Sequence, residues 1–279
     1  MNPAPHYRIF FNSLFFLTFT AGFALAVTGC KPDALVRSDP SSKGSSPNSS
    51  VGRGSNPVEA PIAGGSETIN GTVAYSGKLA PKVRIDTSMD PACSLSGGDI
   101  YAEQYAVTNG KLANVFVYVK SGPPALMHAG PTTAQPVILD QKDCRYMPHT
   151  IGVVRGGTVE FRNSDPTMHN IHTMPTVVGN EVIDVSQGPR GAPQTKRFDK
   201  PELMMPVRCN NHPWMNAFIN VSETPFFAVT DSSGRFELHG LLPGDYELGA
   251  VHEKLGEQTI RVSIQPQVPA KIDFSFAAH

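Results

Sequence analysis

The chain has 279 residues, and its 23 Lys and Arg against 24 Asp and Glu leave a net charge of −1. That balance argues against a nucleic-acid partner, because phosphate binding needs a basic excess. With 25 Gly and 25 Pro, no stretch beyond residue 30 that is free of both runs longer than eleven residues. Long helices, helical bundles and coiled coils are thereby disfavoured, since Pro removes a helix hydrogen bond and Gly costs helix stability. An apolar content of 40% is ordinary for a protein with a buried core. The expectation is a β-rich body.

The N-terminus differs from that body. Residues 9–27 are almost wholly apolar, follow His6 and Arg8, and end in Val27-Thr28-Gly29-Cys30. A short basic start, an apolar run and small residues at a cleavage point describe a secretory signal over residues 1–29. Small residues before a Cys resemble a bacterial lipoprotein signal, in which Cys30 becomes the lipidated first residue. The alternative is a membrane span, for which the run is about long enough at roughly 20 residues. Residues 30–66 are dominated by Ser, Gly, Pro and Asn, a composition that cannot bury enough apolar surface to offset its ordering entropy. They read as the lipidated Cys followed by a tether. The protein is therefore expected to be exported to the periplasm or cell surface and held to the membrane by lipid. Lys31, where an Asp would point inward, favours the outer membrane.

From residue 67 onward, strands alternate with turn signals. Ile69–Tyr75 alternates in period two, and Ala113–Lys120 is rich in β-branched and aromatic residues. Thr158–Arg162 follows the Gly156-Gly157 turn, and Phe218–Val221 follows a His- and Cys-bearing loop. A meander then runs through Phe226–Thr230, Arg235–Leu238, Tyr246–Val251 and Gln258–Ile264. Many short strands at regular spacing predict an all-β sandwich architecture.

Four positions carry metal-binding chemistry. Met168-His169-Asn170-Ile171-His172 is followed some forty residues later by Cys209-Asn210-Asn211-His212-Pro213-Trp214-Met215. One thiolate, two imidazoles and a thioether are the ligand set of a blue-copper centre, trigonal His₂Cys with a weak axial Met. A strand can deliver the Cys, a tight loop can bring back the His and Met, and the next strand can leave. Zinc is disfavoured because Met is a poor zinc ligand. His149 is expected to be structural, and Trp214 either packs in the core or belongs to an apolar docking patch around His212. With Cys30 and Cys209 assigned, Cys93 and Cys144 remain, and an oxidising compartment predicts a disulfide between them. Two buried free thiols are the alternative.

The compact Cys-x2-His-x2-Met loop, together with His169-Asn170 after Gly156-Gly157-Thr158-Val159-Glu160-Phe161-Arg162-Asn163, resembles the amicyanin-type cupredoxins over residues 136–222. The resemblance implies a Greek-key sandwich over 130–225 with one copper. It implies His169, rather than His172, as the upstream ligand beside Cys209, His212 and Met215, with Asn170 tying the two ligand loops together near Asn210. Asn211 stands where that family carries Pro, so its N–H could donate to the Cys209 sulfur and favour the reduced state.

The segments Val229-Thr230-Asp231-Ser232-Ser233-Gly234-Arg235-Phe236 and Leu242-Pro243-Gly244-Asp245-Tyr246-Glu247-Leu248 resemble carboxypeptidase regulatory-like, or transthyretin-like, sandwiches. Such a module would open with Ile69–Val73 and Asn114–Tyr118. The implied organisation is a regulatory-like sandwich of 67–125 plus 226–279 with the copper module inserted; a single extended sandwich is the alternative.

The expected function is one-electron transfer without enzymatic turnover, with a c-type cytochrome or periplasmic dehydrogenase as partner. Copper carriage or buffering is the rival. A nitrite-reductase-like enzyme would need a second, His-rich copper site, and an adhesive role would need an aromatic platform.

Overall fold

The computed structural model describes residues 65–79, 81–95, 98–127 and 135–278. The expected signal at 1–29, Cys30 and nearly all of the expected tether lie outside the described residues. Within them the fold is all-β: eighteen strands accompany two helices, Pro91–Leu95 and Pro124–Met127. No helix among the described residues is long and apolar enough to cross a membrane.

The strands form four sheets around two cores. In the first pair of sheets, Glu67–Ser76 lies between Arg235–Leu241, antiparallel, and Ala270–Ala277, parallel. Its inward residues alternate strictly, with Ile69, Val73 and Tyr75 buried. The facing sheet orders Phe227–Val229, Phe116–Ser121, Gly244–His252 and Gly256–Ile264. Phe236, Leu248, Phe274 and Phe276 fill the space between them. The strand expected from Ala113 begins only at Phe116. Asn114 takes a left-handed conformation with φ 62°, and the Val115 N–H turns to the Thr230 hydroxyl at 3.0 Å.

The second pair holds Asp184–Gln187, His169–Thr173, Glu202–Arg208, Asn216–Ser222 and Thr150–Val154 in one sheet. The other contains Gln194–Arg197, Thr158–Asn163, Val137–Lys142 and Arg145–Met147. Two of the pairings are parallel, Val137–Lys142 with Thr158–Asn163 and Thr150–Val154 with Asn216–Ser222. Leu139, Phe161, Ile171, Met205 and Ile219 fill this core completely buried.

The two sandwiches meet at a glycine. A Cβ on Gly152 would lie 2.5 Å from the Phe227 ring and 2.6 Å from the Phe116 ring. Its absence lets that strand approach the two rings, which pack against each other 5.2 Å apart. Beside them, His149 Nε2 meets Glu253 Oε1 at 2.7 Å, both side chains buried, and joins the sandwiches by a polar contact. His149 is thus structural.

One segment departs from the expected module boundaries. Residues 83–95 and 98–104, expected within the regulatory-like module, instead lie against the second sandwich. Cys93 and Ile100 pack in its core, and Val83, Ile85 and Tyr101 share a cavity wall with Trp214, Met215 and Asn216. The reason is covalent as well as apolar: Cys93 and Cys144 are joined by a disulfide across 51 positions of sequence.

Candidate metal centre

Each side chain of the centre is placed by an identifiable backbone device. His169 opens the strand His169–Thr173, held at Gln187 on one side, while Val207 and Arg208 pair with Thr173 and His172 on the other. The turn before it is built by Asn163, whose amide donates to the carbonyls of Thr167 and Gly188 at 2.9 and 2.8 Å. The Asn163 side-chain Oδ1 accepts the Asp165 N–H. Cys209 follows the strand Glu202–Arg208. The loop 209–215 then closes on itself, with Cys209 N–H to Met215 O at 3.2 Å and Met215 N–H to His212 O at 2.9 Å. Pairing of Arg208 with Asn216 seals its base.

Three of the expected ligands converge. His169 Nδ1 lies 2.9 Å from His212 Nδ1. Cys209 Sγ lies 3.5 Å from His212 Nδ1 and 4.0 Å from His169 Nδ1. All three side chains are buried, and their donor atoms fall within 4.8 Å of one another, the span of one ion. Met215 is buried in the same core as Cys209.

The outer nitrogens of both imidazoles face carboxylates. His169 Nε2 meets Asp165 Oδ2 at 2.8 Å, and His212 Nε2 meets Asp90 Oδ2 at 3.0 Å. A hydrogen on each Nε2 donates to these acceptors, so that Nδ1 is the nitrogen each ring would offer to a metal once it is unprotonated. Asp165 is itself held by the N–H groups of Asp143 and Cys144, both at 2.8 Å. Asp90 caps the helix Pro91–Leu95 by accepting the Ala92 N–H at 2.8 Å, and it accepts the Thr167 hydroxyl at 2.8 Å. Burial raises both carboxyl pKa values, but these hydrogen bonds outweigh it and hold both below the usual range.

Neither Asp was singled out in the sequence. Their signals were short, Asp90-Pro91 as a helix cap with Pro in the first turn and Asp165-Pro166 as a turn.

The centre is an ion pair in waiting. Burial raises the Cys209 pKa, but contacts from His169, the Asn170 N–H, His212 and the Asn211 N–H bring it down to about 6. Burial lowers the His169 pKa, but Asp165 and Cys209 outweigh it and raise it to about 9. A soft thiolate with two imidazoles, enclosed away from water, suits copper in either oxidation state.

Two expectations about the surroundings are corrected. Asn170 does not bond Asn210 itself, but it ties the two ligand loops together through the adjacent Cys209. Its N–H donates to Cys209 Sγ at 3.3 Å and its amide to the Ser186 hydroxyl at 3.0 Å. Strand alternation turns His169, Ile171 and Thr173 inward and leaves Asn170 and His172 on the other face, where His172 Nδ1 lies 2.9 Å from Asn210 Oδ1. Nor does His212 form an apolar docking patch. It is 3% exposed, because Asp90 and the disulfide segment cover it, with Cys93 Sγ 3.8 Å from its Nε2. Trp214 is half-buried, stands 5.1 Å from the His212 ring, and donates its indole N–H to Cys144 O at 3.0 Å.

No protein family and no curated protein matches the chain. Among solved structures, the copper-containing nitrite reductase from Thermus scotoductus SA-01 is similar over 35% of this chain at 26% identity, TM-score 0.28. This chain spans 26% of that enzyme. A mutant of amicyanin in its Cu(I) form is similar over 38% of this chain and 98% of its own length, at 18% identity and TM-score 0.29. A purple cupredoxin from Nitrosopumilus maritimus is similar over 31% of this chain and 99% of its own, at 23% identity and TM-score 0.25.

Proposed function

We propose that the protein is an exported, membrane-tethered carrier of single electrons. One copper is held by His169, Cys209 and His212, with Met215 as a weak axial donor. The observation that carries this reading is the convergence of two Nδ1 atoms and one thiolate in a buried volume. Copper supplies a one-electron couple there. The chain supplies two oriented imidazoles and a thiolate, in a fixed cradle that changes little between oxidation states. With every donor coming from protein, the centre favours electron transfer over substrate turnover.

In this reading the copper module, 130–225, is inserted in a regulatory-like sandwich of 67–125 plus 226–279. Lipidated Cys30 and the 30–66 tether attach it to a membrane, with the outer membrane favoured. The partner is a redox protein such as a c-type cytochrome or a periplasmic dehydrogenase.

The test is the visible and electron paramagnetic resonance spectrum of purified protein given one equivalent of Cu(II). Intense sulfur-to-copper charge transfer is expected, absent in Cys209→Ser and retained in Met215→Leu with a raised potential. A colourless, redox-silent product would sink the proposal. Copper carriage is the second reading, favoured by two exposed methionines at the mouth of the centre.

A further inference from the structure

A cavity of about 300 Å³ opens above His212, lined by Met89, Asp90, Thr167, Met168, Asn211 and His212. Met89 is 73% exposed and Met168 49% exposed, the two most exposed methionines among the described residues. They come from segments far apart in sequence. The Thr167 hydroxyl donating to Asp90 at 2.8 Å joins those segments, so each methionine sits next to one end of a single hydrogen bond. No core packing explains large apolar side chains left in water at this place. Their chemistry does: a thioether is a soft donor that selects Cu(I) and ignores hard cations. The floor of the same cavity is His212, whose Nδ1 faces Cys209.

We propose that Met89 and Met168 form a Cu(I) capture site through which copper reaches the buried centre. The proposal rests on the copper reading of that centre and adds its route of loading. Two neutral thioethers hold Cu(I) weakly, and the buried thiolate and imidazoles hold it more strongly, so transfer runs inward by exchange of ligands. Copper stays Cu(I) throughout and no electron moves. The carboxylate of Asp90, which lines the same cavity, offsets the positive charge of the arriving ion.

The test uses the full-length apo protein and Cu(I), supplied anaerobically as its acetonitrile complex against a competing cuprous chelator. Methyl resonances of Met89 and Met168 should shift with Cu(I) in a His169→Ala/Cys209→Ser protein, whose centre no longer competes. They should not shift with Zn(II). In the protein with an intact centre, Met89→Leu/Met168→Leu should slow loading by about tenfold, the low end of what losing an outer-shell group around a metal costs. Its final colour and potential should be unchanged. Both positions are exposed, so the leucines leave the core intact, and near-ultraviolet circular dichroism checks this.

Methyl shifts that are absent, or equal loading rates with and without the methionines, would overturn the proposal. A wild-type protein that shows the methyl shifts yet never colours with Cu(II) would overturn the electron-transfer reading and leave the capture site standing.

Discussion

Asp90 holds the outer nitrogen of His212 at 3.0 Å, across 122 positions of sequence. The carboxylate comes from a segment outside the sheets that build the centre. It makes His212 a stronger donor, and it puts a negative charge beside the edge of the centre nearest the surface. Both effects favour Cu(II) over Cu(I).

Asp90→Asn should therefore raise the reduction potential. A tenfold change in preference is about 60 mV for a one-electron couple. Protein-film voltammetry reads it directly, and an unchanged or lowered potential would count against a role for Asp90 in tuning the copper.

Replacing both Cys93 and Cys144 by Ala should lower stability by about 4 kcal/mol, from the loop-closure entropy of 51 residues. The same change should loosen Asp90 and Cys93 from over His212. Electron self-exchange, measured by line broadening, should then quicken, while a rate no faster than wild type would mean that the cover does not limit access.

Copper uptake should displace protons. Between about pH 6 and 9 the apo centre pairs a Cys209 thiolate with a His169 imidazolium, so one proton must leave His169 before it can bind. Affinity should rise with pH across that window, by about tenfold per unit for one proton. Below about 6 a second proton, on Cys209, steepens the dependence. Calorimetry in buffers of different ionisation enthalpy counts the protons, and a flat affinity from pH 6.5 to 8.5 would refute the ion pair.

Gly152→Leu should push Phe116 and Phe227 aside, since even a Cβ would come within 2.6 Å of both rings. Overpacking of this kind costs about 1–3 kcal/mol. Denaturant unfolding should show the loss, with the colour of the folded copper protein retained because His169, Cys209 and His212 lie elsewhere. Unchanged stability would mean that the two sandwiches can part at that seam.

Much of this was legible in local pattern. The Cys-x2-His-x2-Met loop shows in the sequence because a short loop between paired strands gathers its side chains at one end of a sheet. Strands such as Thr158–Asn163 show in the sequence because one face is buried and the other wet. Asp90 was not legible: its partner is remote, and a helix-capping Asp before Pro looks the same whether or not an imidazole waits beyond it. Ala270–Ala277 was overlooked although Phe274 and Phe276 alternate with polar residues. A meander of hairpins predicts no parallel return to the first strand. Val107–Thr108 and Lys111–Leu112 are too short to carry any periodicity.

The strand Glu67–Ser76 finds its long partners only at Arg235–Leu241 and Ala270–Ala277. Everything needed for the sheets around His169, Cys209 and His212, by contrast, has been made once Ser222 leaves the ribosome. Assembly order is thus written into the pairing: the second sandwich can close while the first is still missing its C-terminal edge. During that interval the opening strand, paired only at Ala74 with Lys111, exposes most of both edges, the state in which strands pair with the wrong neighbour. A chain cut short near residue 265 would keep its metal ligands and lose the strand Ala270–Ala277 that protects its beginning. Its characteristic failure should be aggregation through residues 67–76 rather than loss of copper.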